Sequence, residues 1–169
     1  MNIELVLFGA FALLTLLSAG LVIFAKSPIS SAMSLVATFF FLAGIYVLLW
    51  AHTVAALQIL VYAGAIMVLF LFVIMLLNLG EVTSTGPRMS LSRIAGGAAA
   101  AGLLVVLVMA IWRIPADAHT FSAAETQTFG TLAAIGQDIY TRWLLPFEAV
   151  SLLLLVGMVG AVVVAKSRI

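Results

Sequence analysis

VAALQILVYAGAIMVLFLFVIMLLNL, Val54 to Leu79, runs for about 25 residues without a formal charge. A helix needs about 20 mostly apolar residues to cross about 30 Å of hydrocarbon. The stretch therefore reads as a membrane-spanning helix, with length to spare for tilt. His52-Thr53 forms the break before it, and Thr53 is a candidate N-cap, a residue type whose hydroxyl accepts from a free first-turn N–H.

Working toward the N-terminus, the run Ile29–Trp50 is a second span, with Pro28 in its first turn and Tyr46 and Trp50 near its end, where interfacial aromatics sit. Lys26-Ser27-Pro28 separates it from an earlier run, Glu4–Ala25. That run has no basic segment before it and exceeds a signal-peptide core, so it is expected to be a retained span.

Working toward the C-terminus, Gly80–Ser92 is rich in Gly, Ser, Thr and Pro and carries Glu81 and Arg88, as a polar loop does. Arg93 and Arg113 bracket a fourth span over 94–112. It opens with Gly96, Gly97 and alanines up to Ala101, small enough for a neighbouring backbone to approach closely, although an unspecialised helix has the same composition. Residues 114–142 mix Asp117, Glu125, Gln127, Gln137 and Asp138 with Phe121, Phe129 and Ile139. An extramembrane loop with a short surface helix is expected there. The fifth span, 143–165, has Pro146 in its first turn and Lys166 and Arg168 beyond its end.

The fold expected is all-α: a single membrane domain over 1–169 with five transmembrane helices at 4–25, 29–50, 54–79, 94–112 and 143–165. Lys26, Arg88, Arg93, Lys166 and Arg168 fall on one side of that arrangement, and Arg113 and Arg142 on the other. The positive-inside rule then puts the N-terminus outside and the C-terminus in the cytoplasm, which an odd number of spans requires.

Composition bounds the chemistry. With 66% hydrophobic and 8% charged residues, and a mean hydropathy of +1.35, the chain lies far from the soluble norm. It has no cysteine, which excludes thiolate-held clusters and disulfides within the chain. His52 and His119 are too far apart to suggest a paired metal site, and a net charge of +1 offers no extended basic surface for nucleic acid. No nucleophile with a base, paired carboxylates or phosphate-cradling glycine loop appears.

The block Gln58–Asn78, QILVYAGAIMVLFLFVIMLLN, closely resembles the third helix of subunit J of bacterial proton-pumping NADH:quinone oxidoreductase, respiratory complex I, a family related to mitochondrial subunit six. Lys26-Ser27-Pro28 and the segment Pro146–Leu155, PFEAVSLLLL, also look like that family, and the five-span layout agrees. The specific similarity covers about half the chain; the long loop and the tail match only in position. The resemblance implies a subunit of the bacterial inner membrane that carries no redox centre. FMN and iron–sulfur clusters would lie on other subunits of a hetero-oligomer. The partners implied are the quinone-proximal and antiporter-like membrane-arm subunits, together with lipid. It further implies a π-bulge near Tyr62 whose conversion to regular helix rotates the segment beyond it and changes hydration. Two other readings are an equivalent subunit of a complex fed by ferredoxin or another donor, and a free-standing small transporter, for which no internal repeat or charge cluster speaks.

Gln58 and Tyr62, four residues apart, share one face of an α-helix. Gln58 either joins two helices by one hydrogen bond or lines the hydrated path that the resemblance implies. Some family members have a glutamate at the position of Gln58. Gly64, between Ala63 and Ala65, is where the backbone can leave the regular ladder, and rotation beyond it would exchange the bulky Met67, Val68 and Phe70 at the path as an apolar gate. Glu148, two residues past Pro146, either complements the helix N-terminal dipole or serves as a proton relay or helix-pairing group. Gly157 and Ala161 form a small-xxx-small pair suited to a partner helix or, equally, to lipid.

Overall fold

The computed structural model describes residues 3–77, 91–113 and 129–166, with side chains from Ala95 onward in the second of these segments. The described chain forms α1 (Ile3–Phe24), α2 (Pro28–Leu48), α3 (His52–Leu57), a π-helical segment (Gln58–Ile66), α4 (Met67–Leu76), α5 (Leu91–Arg113), α6 (Leu132–Thr141) and α7 (Leu144–Ala165). No strand occurs among these residues. Five helices are long and apolar enough to cross a membrane: Ile3–Phe24, Pro28–Leu48, the continuous rod His52–Leu76, Ala95–Arg113 and Leu144–Ala165. The chain is a multi-pass membrane protein. Of the loop expected over 114–142, residues 114–128 lie outside the described residues, and the rest contains α6.

Local chemistry sets the helix ends. Ser27 caps α2, its hydroxyl accepting from the Ser30 N–H, and Pro28 fills the first helical position, where a missing N–H costs nothing. The far end of α2 stops two residues before Trp50. The Trp50 N–H bonds the Val47 carbonyl at 3.1 Å and the Ala51 N–H bonds the Tyr46 carbonyl at 3.0 Å, the paired closure of a Schellman turn. Such a turn needs a left-handed residue, and here it is Trp50, at φ 61°, where glycine is usual.

α1, α2 and the rod α3–π–α4 pack side by side, with α2 in the middle. Hydroxyls tie α1 to α2. The Thr38 Oγ1 lies 2.9 Å from the Ser18 Oγ across the interface, and the Ser31 hydroxyl donates to the Val22 carbonyl. The apolar core between α2 and the rod is Ala32, Met67 and Ile74, flanked by Leu35, Val36, Phe39 and Leu71. No residue of the Ala95–Arg113 or Leu144–Ala165 span is buried inside the chain. In lipid an exposed apolar helix is stable as it stands, because each helix satisfies its own backbone.

Candidate functional site in the third span

Thr53 is not the cap of the third span. Helix α3 begins one residue earlier, with Ala51 in the cap position and no side-chain cap. The first N–H groups of a helix have no intrahelical partner. Thr53 meets that need from outside: its N–H and its hydroxyl both donate to the Gly130 carbonyl, at 3.2 and 2.7 Å.

Beyond α3 the backbone leaves the regular ladder. From Gln58 to Ile66 the winding is π-helical, and at its end the Met67 N–H bonds the Tyr62 carbonyl five residues back. Burial follows that winding. Ala55, Gln58, Ala63, Met67 and Ile74 are the buried residues of the rod. Gln58 and Met67 are nine positions apart, which on an α-helix is about two and a half turns and places them on opposite faces. The wider π winding brings both onto the buried face.

The residues proposed for the path are therefore divided. Gln58, at 7% exposed, and Met67, at 4%, are brought to the same side. Tyr62 lies on the α2 side of the rod, its ring 5.7 Å from that of Phe39. Ala63 is buried with Gln58, and the larger Tyr62 stays 48% exposed. Val68 and Phe70 are exposed. Val68 borders an apolar cleft of about 260 Å³ with Ile29, Leu71, Phe72 and Met75.

Gly64 sits inside the π segment, and a Cβ there would lie 3.2 Å from the carbonyl oxygen of Ile59. That oxygen belongs to the residue five positions back, the spacing of the π ladder. Glu148 is exposed on α7, which packs chiefly against α6. The Ser151 hydroxyl donates to its backbone carbonyl at 2.7 Å. The structure does not bring Glu148 to the π segment.

Sequence reasoning missed Ala63, Phe39 and Gly130. Only the Gly before Thr131 hinted at a turn there, and nothing in a single sequence reports a contact across 77 positions.

The sequence pattern of the family NADH-ubiquinone/plastoquinone oxidoreductase chain 6 matches residues 18–164. The chain is 33% identical over 165 residues to NADH-quinone oxidoreductase subunit J of Rhodobacter capsulatus, covering 96% of this chain and 81% of the relative. It is 38% identical over 165 residues to NAD(P)H-quinone oxidoreductase subunit 6 of the Paulinella chromatophora chromatophore, covering 96% and 78%. A chloroplastic subunit 6 from Nephroselmis olivacea is 44% identical over 146 residues, covering 86% and 82%. A π-wound third span, five membrane helices and these likenesses along nearly the whole chain lead to one assignment: the chain belongs to the chain 6, or subunit J, family, a membrane subunit of the NADH-quinone oxidoreductase known as respiratory complex I.

Proposed function

We propose that this chain sits in the membrane arm between the quinone-proximal and antiporter-like subunits of a complex that couples NADH oxidation and quinone reduction to proton translocation. Its third span switches Gln58–Ile66 between π and α winding and so opens and closes a hydrated proton path. The membrane is the bacterial inner membrane, with the N-terminus outside and the C-terminus in the cytoplasm, in keeping with the distribution of Lys and Arg. Flavin mononucleotide and the iron–sulfur clusters reside on other subunits; a chain without cysteine lacks the ligand that usually holds such clusters.

The observation that supports the switch is the shared burial of Gln58 and Met67. Complete conversion of the segment to α winding turns α4 by about half a turn relative to α3. Met67 and Leu71 would leave the buried face, and Leu69 and Phe72, now exposed, would approach it. Gln58 offers an amide to water, whereas the side chains that exchange beyond it are apolar and can exclude water.

Val68→Phe tests the rotation. The added ring fills the cleft beside Leu71 and Phe72 and obstructs their exchange, so coupled turnover should fall while the complex assembles. Wild-type pumping by the assembled variant contradicts the gate.

A further inference from the structure

The outer end of the third span is held in an unusual way. The turn that delivers the chain into α3 carries Trp50 at φ 61°, a left-handed conformation that is unfavourable for a non-glycine residue. Such strain persists where surrounding structure over-determines it. The structure around it is the segment at Gly130, itself at φ 71°. A Cβ on Gly130 would lie 2.1 Å from the Trp50 carbonyl oxygen and 3.0 Å from the Ala51 Cα, so only glycine lets the two backbones meet. At that meeting point the Gly130 carbonyl receives both the N–H and the hydroxyl of Thr53. Gly130 leads directly into α6, whose cap Thr131 accepts from the Ala134 N–H at 3.3 Å. The Trp50 indole stands edge-on to His52 at 5.9 Å.

We infer that Thr53 and Gly130 form a clamp that fixes the outer end of the third span in rotation, making Thr53 a positioning residue for the switch. The inference rests on the π-to-α reading above. A helix that gains or loses a turn of winding in its middle must rotate one end against the other. One hydrogen bond leaves a helix end free to swivel about it. Two donors of one residue converging on one carbonyl, with backbone packed behind it, do not. The clamp lies five residues before Gln58, so the rotation is delivered to α4 and to the apolar residues that exchange there. Without it the same change of winding is dissipated by α3 turning in place.

The test uses the intact complex with spin labels on non-canonical amino acids, which spares the cysteines of other subunits. Labels at the exposed positions 5 and 57 report α3 against α1, and labels at 23 and 76 report α4 against α1. Distances are measured at rest and during turnover. In the otherwise unsubstituted chain the 23–76 distance should change with turnover and the 5–57 distance should not. Thr53→Val removes the hydroxyl donor and keeps the N–H; the 5–57 distance should then vary with turnover and fewer protons should move per electron. Roughly a fivefold rise in the unclamped population corresponds to loss of one bond of about 1 kcal/mol. Thr53→Ser should restore both readouts, and Gly130→Ala, which forces the backbones apart, should exceed Thr53→Val. A Thr53→Val complex with an unmoved 5–57 pair and normal pumping overturns the clamp alone, as does an unsubstituted chain in which only the 5–57 pair moves. If neither pair moves during turnover, the winding switch itself falls, and the clamp with it.

Discussion

Hydroxyl groups tie the first two spans together, because they can satisfy themselves on helix carbonyls and still reach a neighbour. Thr38 shows the arrangement. Its Oγ1 lies 2.9 Å from the carbonyl of Ser34 on its own helix and 2.9 Å from Ser18 on α1. Ser18 has its own local acceptors, Leu14 at 2.8 Å and Thr15 at 3.0 Å. Removing the Thr38 hydroxyl therefore strands no polar group, and the loss is that of one interhelical bond. Thr38→Val should weaken the α1–α2 contact by about 0.6–1 kcal/mol. The expected outcome is a fully assembled, normally pumping complex whose heat resistance is slightly reduced. A collapse of assembly would mean that the hydroxyl does more than join two helices.

At the scale of the element, the third span separates what hydropathy dictates from what it cannot. A charge-free run of this length must be a spanning helix, and α2 must begin at Pro28 because Ser27 and the proline define a start. These features were legible because each depends on residues adjacent in sequence. The winding was legible only through the family resemblance, which implied a bulge near Tyr62 where the π segment lies; residue spacing did not show it. Gln58, Tyr62 and Met67 are compatible with either ladder, and π segments have no residue signature. The α-helical spacing sets Ala63 well off the face of Gln58, whereas the structure buries both. Nor could the role of Thr53 be read, since the carbonyl that it meets lies 77 positions away.

Gly64 is the residue through which the winding can be biased. In the π form an added methyl would lie 3.2 Å from the Ile59 carbonyl oxygen, five positions back. The carbonyl must give by a few tenths of an ångström to admit that methyl, whereas alanine is the residue best suited to α winding, so the balance should shift toward the α form. Gly64→Ala should therefore displace α4 at rest toward the position that it otherwise takes during turnover, as read by the distance from position 76 to position 23. A resting distance identical to that of the unsubstituted chain would show that the methyl is accommodated without a change of winding.

At the scale of the whole molecule, α1, α2 and the rod through α4 form the packed unit among the described residues. The spans at Ala95–Arg113 and Leu144–Ala165 bury nothing within the chain. Gly157 illustrates the point, since a Cβ there would meet nothing within 4 Å. Both helices are free to serve as contact surfaces for other membrane subunits, and the small residues at Gly96, Gly97, Gly157 and Ala161 would allow close approach. A C-terminally tagged chain extracted in mild detergent should co-migrate on a native gel with NADH:quinone reductase activity in a very large assembly. A small, inactive band under several mild detergents would contradict a place in the membrane arm.

If the winding of Gln58–Ile66 couples redox turnover to proton movement, the most direct measurement is the number of protons translocated per electron by the Gly64→Ala complex in sealed vesicles. The expected result is an assembled complex that still reduces quinone from NADH but moves fewer protons per electron. An unchanged ratio, in a complex whose third span is demonstrably biased toward α winding, would contradict that coupling.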